Sequence, residues 1–583
     1  MKSLRTRTTL GILLVALLAL LACAPAAQPA AAPAAPAAPA VAPKAPAQPQ
    51  APAPAAAAAA PRAPSAPAPV AAPAPAAPKG PQRGGILNHW FSAEVPRLDP
   101  ILLTTASLAY RIGGVYTRLI RHKTGPEVQP GEIILLPDLA ESWEVSPDGL
   151  TFTFHLRKGV KWQNLPPVNG REFVADDVIW SYNRIKTPGS VYASWFRQTE
   201  KLEALDRYTV RITNKEPIAT FLLRISDPYA MIMPREVAEA DGDLKKRAIG
   251  TGPFILTERV ENVITKLRRN PNYWEAGIPY LDGYDVYVIL EQSAALAAFR
   301  AGKLDIVGAS SKQERESVLK SRPDAQVIQT TGLGWSKFIF RTDKEPWNNQ
   351  KLRQAISVAM DRQGELDTRF NGEGRMQGPI PPYPGWALPV EKLGEASKYY
   401  KYDLNYAKQL LAEAGYPNGI GDLLFTTPPT ASWTDRIYYY NGNWLKAGIK
   451  FKIQLMEYAE FLTKPYVAKY EGASYIPGGP GAADPGEYLQ LLWHPSSELY
   501  NTSHVNDPFV TKIIDEQGRI LDETKRLKII QDLQLYLAEK MYYVPLPAPA
   551  SYSLQNARIR GYMPTTTQNI GDVWRYVWIE GAK

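Results

Sequence analysis

Among 583 residues there is one cysteine, Cys23, and there are five histidines. A folded body with no further cysteine has no disulfide, no thiolate-held metal and no thiol nucleophile. A domain of this size buries enough apolar surface to stand without cross-links. His89, His122, His155, His494 and His504 stand singly, and the last two are ten apart, outside common ligand spacings. His155 is expected to face solvent from a strand. No HExxH, GxSxG or GxxxxGK[ST] pattern occurs. Gly478-Gly479-Pro480-Gly481 is glycine-rich, but nothing after it reads as a phosphate-cradling helix. Asp176-Asp177 suits a helix N-terminus, where negative charge is favoured, better than a catalytic pair. With no catalytic residue to name, an enzyme is not expected; nor is a cofactor or a metal.

Charge is also scarce where the count suggests it. The net charge is +9, but residues 1–79 carry six basic residues and no acidic one. The remainder holds 60 basic against 57 acidic residues, a net of +3. That is no footprint for nucleic acid.

What is present begins with Lys2, Arg5 and Arg7, then an apolar run from Leu10 to Leu21 broken only by Gly11. The run is too short to span a bilayer and suits a signal-peptide core. It ends in Leu20-Leu21-Ala22-Cys23, which matches the bacterial lipobox, so 1–22 is read as a signal peptide and Cys23 as lipidated. Several acyl chains on one residue give stable anchoring. The stretch that follows is almost entirely Ala and Pro up to residue 80. It cannot build a core, and 23–83 is read as the anchor residue with a disordered tether.

From Gly84 onward strand-like and helix-like segments alternate, which argues for α/β lobes. Some 500 residues are too many for one compact core, so two or three lobes are expected. Gly84-Gly85-Ile86-Leu87 opens a strand. Phe152, Phe154 and Leu156 share one face of another. Val174, Val178, Tyr182 and Ile185 recur at helical spacing. Asp403 can cap a helix burying Ala407, Leu410, Leu411 and Ala414, stopped by Gly415 and Pro417. Leu527, Ile530, Leu533 and Leu537 form a further helical stripe.

Four ordered stretches carry a resemblance. The first is Leu139-Ala-Glu-Ser-Trp143, Ser146-Pro-Asp-Gly149, Thr153-Phe-His-Leu-Arg157-Lys-Gly159-Val-Lys-Trp162 and Ala175-Asp176-Asp177-Val178 with Ser181. The second is Gly250-Thr-Gly-Pro-Phe254, Arg269-Asn-Pro-Asn-Tyr-Trp274 and Ala301-Gly-Lys-Leu-Asp305. The third runs from Glu345-Pro-Trp347 through Lys351-Leu-Arg353-Gln-Ala355-Ile356 to Met360-Asp361-Arg362, and the fourth is Ala407 to Gly415. Together they resemble family 5 of the extracellular solute-binding proteins of ABC importers, the peptide/nickel/oligosaccharide class. Asn-Leu-Pro-Pro at 164–167 departs from the family's short Asp-Gly turn.

The resemblance implies an α/β fold of the type II periplasmic-binding-protein kind: two α/β lobes with a hinge, plus an extra small lobe. Lobe I takes 84–125, 216–308 and 546–583, the extra lobe II 126–215, and lobe III 309–545. It further implies a monomer that captures a small-molecule solute and hands it to ABC permease subunits from the cell envelope, at the outer face of the cytoplasmic membrane or in the periplasm. A ligand sensor without a transporter, or an extracellular hydrolase, is the alternative.

In the family's peptide binders a wall matching Tyr458 to Tyr488 carries an aromatic residue at Tyr458 and an apolar one at Leu462. An Asp four residues before a Pro pairs with the peptide amine. Here that position is Gly481 or Pro480, with Asp484 displaced by three residues. Trp90 and Phe91 follow the first strand, where the resemblance implies pocket residues, and Gly478, Gly479 and Gly481 open space in the opposite wall. Trp90, Phe91, Tyr458, Leu462, Gly478, Gly479 and Asp484 are the expected ligand-binding residues, and Glu94 or Glu487 could reach an amine from a shifted loop. Aromatic faces and glycine space suit ring-bearing solutes such as oligosaccharides better than free di- and tripeptides.

Overall fold

The computed structural model describes residues 80–102, 106–128, 132–330, 334–477, 484–497, 500–564 and 571–582. The signal peptide, Cys23 and the Ala/Pro tether up to residue 79 lie outside the described residues.

Three sheets organise the chain from Gly80 onward. The first strand, Ile86–Phe91, is central in a seven-stranded sheet, parallel to Gly283–Val288 on one side and Ile306–Ala309 on the other. Ile264–Arg269 and Phe254–Val260 extend one flank, Ser551–Gln555 and Gln326–Thr330 the other, all antiparallel. Strands from four distant stretches are thus laid side by side, which only tertiary folding can do.

An antiparallel four-stranded sheet is built from Ala140–Val145, Thr151–Leu156, Thr209–Asn214 and Thr199–Asp206. Phe152, Phe154 and Leu156 are buried, as their alternation requires, and His155 is partly exposed on the other face, 3.7 Å from Glu144. The helix Ala175–Ile185 packs on this sheet through Val178, Tyr182 and Ile185. Asp177 does three jobs there. It accepts from Val174 N at 3.0 Å at the helix start, takes both Arg171 guanidinium nitrogens at 2.9 and 2.7 Å, and accepts from Trp162 Nε1 at 3.2 Å. The acid pair is a helix terminus in the scaffold.

The third sheet has five strands in the order Ile449–Leu455, Ile420–Thr427, Ala473–Ile476, Lys337–Phe340 and Tyr543–Pro545. Phe338 and Phe340 point to one core with Phe425 and Trp444, whereas Trp335 and Ile339 point to another with Ile476 and Trp493. The helix Leu404–Glu413 is capped by Asp403, whose carboxylate accepts from Asn405 N and Tyr406 N at 2.9 Å each. It buries Ala407, Leu410 and Leu411, and Gly415 follows at φ +94°.

Residues 126–215, expected as an extra small lobe appended to the first, carry their own four-stranded sheet and pack onto the first lobe. Phe152, Phe154 and Tyr182 belong to one cluster with Leu87, Tyr284 and Trp574 of the seven-stranded sheet's side. The seven-stranded sheet reaches beyond the expected start of lobe III at 309. Gln326–Thr330 pairs with Ser551–Gln555 through five register positions, and Val318 of the preceding helix packs with Phe299 and Leu554. The chain leaves this sheet only after Thr330, reaches the five-stranded sheet at Lys337, and returns between Pro545 and Ser551. Strand pairing, which a linear motif cannot report, sets both crossings.

The family-like motifs are scaffold. A side chain at Gly250 or Gly252 would place a Cβ 2.0 or 2.5 Å from the Val115 carbonyl oxygen, so backbone runs against backbone there. Asp305 accepts from Asn88 N at 2.9 Å and Asn88 Nδ2 at 3.3 Å, tying two parallel strands together. Arg353 donates to the carbonyls of Met541, Trp347 and Lys540 at the end of the helix Glu523–Lys540.

Candidate functional site

Trp90 and Phe91 come at the carboxyl end of the central strand and leave on opposite faces. They line a cavity of about 390 Å³ with His89, Tyr110, Gln292, Gly308, Tyr552 and Tyr562. Trp90 donates Nε1–H to the Ile289 carbonyl at 2.8 Å. A Cβ at Gly308 would come 3.3 Å from the Trp90 ring, so the glycine makes room for the indole. Phe91 leans on Tyr110, with centroids 5.3 Å apart, and the Arg111 guanidinium lies 5.8 Å from its ring centre. His89 is buried, stacked on Tyr110 at 4.9 Å and edge-on to Trp574 at 5.3 Å. Burial, reinforced by Arg111, pulls its pKa down to about 3, so the ring is neutral. Tyr552 and Tyr562 reach the strand end from the far end of the chain and Tyr110 from the helix Ala106–Ile112, so the pattern of the strand itself gives no sign of them.

On the five-stranded sheet, Tyr458 opens the helix Tyr458–Thr463, is 47 % exposed and stands 6.0 Å from the Trp433 ring. Leu462 falls in the same helix. No ring contact among the described residues joins Tyr458 to Trp90 or Phe91. Gly478 and Gly479 lie outside the described residues, as do Pro480 and Gly481. Lys337 is buried beside this wall, with Nζ 3.4 Å from the Trp335 carbonyl and 5.0 Å from the Trp335 ring centre. Burial lowers its ammonium pKa to about 7.

Asp484 caps a helix that the sequence reading did not anticipate, Pro485–Trp493. Its carboxylate accepts from Gly486 N at 2.7 Å and from Arg526 Nη1 at 2.7 Å. It lines a cavity of about 410 Å³ with Leu223, Tyr383, Trp386 and Arg526, but its charge is already satisfied within the lobe. Glu487, one turn on, is engaged across the cleft. It accepts from Thr220 Oγ1 at 2.7 Å and pairs with Arg224 of the helix Phe221–Ser226. Near that contact Arg519 donates to Glu216 at 2.7 Å, and Ala219 N donates to the Gly518 carbonyl at 2.9 Å. A cavity of about 230 Å³ lies there, lined by Trp195, Arg224, Glu487, Gln490 and Arg519. Burial acts to raise Glu94, but the Val95 and Asn262 amides, Arg111 and Arg259 outweigh it and hold the carboxyl below its usual range.

Among the described residues no group of three or more His, Cys, Asp or Glu side chains is placed to hold a metal ion. No helix among them is long and apolar enough to cross a membrane. The arrangement is a set of aromatic walls and inter-lobe cavities on rigid sheets, suited to holding a molecule between lobes.

The family model of the bacterial extracellular solute-binding proteins, family 5 Middle, matches residues 135–499. Heme-binding protein A of Haemophilus influenzae is 27% identical over 477 residues, covering 77% of this chain and 84% of that one. Di/tripeptide-binding protein 2 of Pseudomonas aeruginosa is 28% identical over 458 residues, covering 74% and 85%. The ABC transporter-associated periplasmic binding protein DppA from Helicobacter pylori, solved in complex with the peptide STSA, superposes with a TM-score of 0.72 at 28% identity, covering 86% and 99%. The fold is that of the type II periplasmic binding proteins. With that fold, and with the family match spanning more than half its length, the chain belongs to family 5 of the bacterial extracellular solute-binding proteins.

Proposed function

We propose that this substrate-binding component of an ABC importer is anchored through lipidated Cys23 and closes its lobes on a small organic solute, oligosaccharide or peptide-like. It would act as a monomer that changes no bond in the solute. The observation that carries the reading is the aromatic cavity at the end of the central strand, where Trp90, Phe91, Tyr110 and Tyr562 surround about 390 Å³ facing the second crossing of the chain. Aromatic faces favour solutes that bring rings or apolar area. Relatives named for di- and tripeptides and for heme favour an organic solute over a bare ion. Motion about the two crossings would bury the solute and present the closed form to the permease.

Calorimetric titration with an oligosaccharide panel and a peptide panel tests the solute class. Ring-bearing solutes are expected to bind at micromolar strength or tighter. Binding of simple aliphatic dipeptides alone would remove that preference and leave solute capture standing. For the anchor, Cys23→Ala is expected to release the protein from membranes, and a chain starting at Gly84 to bind as the full chain does. A variant still in the membrane fraction after a high-salt wash would place the anchor elsewhere.

A further inference from the structure

Tyr552, one wall of the aromatic cavity, is the second residue of the strand Ser551–Gln555. Its backbone belongs to the seven-stranded sheet, paired with Ala309 on one side and Gln329 on the other. Its ring is buried in the same apolar cluster as Trp90. Its hydroxyl is held from the other lobe, where it donates to the Glu373 carboxylate. Glu373 follows the helix Arg362–Arg369, whose Glu365 pairs at 2.6 Å with Arg436 of the five-stranded sheet's lobe.

The main chain of Glu373 is tied to the returning crossing. Its carbonyl accepts from Ala550 N at 3.1 Å, and Gly374 and Arg375 pair with Pro549 and Ala548. A Cβ at Gly374 would come 2.5 Å from the Ala548 carbonyl oxygen, so the two backbones lie in close contact. The carboxylate also meets the helix Lys312–Ser321 of the first lobe. Arg315 Nη1 and Nη2 donate to its two oxygens at 3.1 and 3.3 Å, and Lys312 Nζ lies 3.5 Å away. The Arg315 guanidinium in turn covers the Tyr552 ring, 4.6 Å from its centre. Burial, and next the bond to Glu373, push the Tyr552 hydroxyl up to about 12, so it remains a donor. That bond first, then Arg315 and Lys312, hold the Glu373 carboxyl below its usual range against burial.

A strand fixes the backbone of a tyrosine but leaves its side-chain torsions several staggered choices. A hydroxyl bound to a charged acceptor and a guanidinium laid over the ring remove that freedom. We propose that Glu373 is a positioning residue for solute capture: reaching from the far side of the hinge, it fixes the Tyr552 ring as a wall of the cavity at the end of the central strand. The proposal rests on the reading of that cavity as the place of capture. With its hydroxyl committed to Glu373, Tyr552 offers a solute apolar area rather than a hydrogen bond. Because the acceptor stands on a crossing of the chain, hinge motion that carries Glu373 away also loosens the wall.

The test is a double-mutant cycle of Glu373→Ala and Tyr552→Phe, read by calorimetric titration with cellotriose and with Phe-Phe. Each single variant is expected to weaken the probe that the wild type binds by about ten-fold, the size of one charge-assisted hydrogen bond. The double variant should weaken it no further, because Glu373 acts through the hydroxyl. Glu373→Gln, which keeps a carbonyl acceptor in the same place and disturbs the fold least, should recover part of the loss. Without solute, 3-fluorotyrosine at position 552 gives a fluorine resonance that should shift and narrow in Glu373→Ala and stay near the wild-type position in Glu373→Gln. Additive losses, an unchanged affinity in Glu373→Ala or an unchanged fluorine signal there each overturn the positioning role and leave solute capture standing. A wild type that binds no solute of either class ends the reading of the cavity, and the positioning role with it.

Discussion

His89 sits fully inside the protein between Tyr110 and Trp574, and its Nδ1 has no hydrogen-bond partner. An imidazolium there would be a buried charge facing Arg111, which is why its folded pKa lies near 3 rather than 6.5. Because the folded value is lowered, the unfolded chain binds the extra proton first as acid is added. Stability from this residue is present above pH 6.5 and is lost as pH falls from 6.5 towards 3. His89→Phe keeps the ring stack and removes the titration. Thermal melts at pH 7 and pH 4 are expected to show a smaller acid loss in the variant, by at most about 3 kcal/mol. Equal losses in both proteins would show that His89 does not carry this part of the acid sensitivity.

At the scale of an element, the helix Pro485–Trp493 shows what pattern reading overlooks. Pro485 at its first turn and Asp484 before it are a regular helix start, yet the glycines at 478–481 draw attention to a loop. The cap is also half of a buried ion pair with Arg526, whose guanidinium lies 5.2 Å from the Trp386 ring centre. Asp484→Ala strands Arg526 without a counter-charge and is expected to destabilise the protein by about 3–5 kcal/mol. Chemical denaturation measures this, and a loss below about 1 kcal/mol would mean that Arg526 finds another partner. Helices with a clean apolar stripe were legible in advance, as Ala407, Leu410 and Leu411 or Ile530, Leu533 and Leu537 show. The strand Thr151–Leu156 was legible for the same reason, since one face meets the core and the other meets water.

At the scale of the whole molecule, one contact between the lobes lies far from the chain crossings. Arg224, Thr220 and Glu216 on one side meet Glu487 and Arg519 on the other. A charge-assisted hydrogen bond of this kind contributes about 2 kcal/mol, enough to shift an open–closed balance by more than ten-fold. Arg224→Glu sets two carboxylates against each other and is expected to increase the radius of gyration measured by solution scattering without solute. Combining it with Glu487→Arg restores the pair and should recover most of the wild-type value. If both single and double variants scatter like the wild type, these contacts do not hold the lobes together.

The family and the α/β alternation were readable from residues 139–415, because backbone contacts such as those at Gly250, Gly252 and Asp305 demand particular residues at particular spacings. The walls were readable only in part. Trp90 and Phe91 follow a recognisable strand, but Tyr110 joins them from the helix Ala106–Ile112, and Tyr552 and Tyr562 from the far end of the chain. The edge of lobe III and the shared core of the extra lobe depended on which strands pair and which faces pack. Asp227 shows the limit most clearly. In the sequence it is an acid before a proline, like many turn residues, whereas in the fold burial pushes its carboxyl up to about 7, which no local pattern encodes.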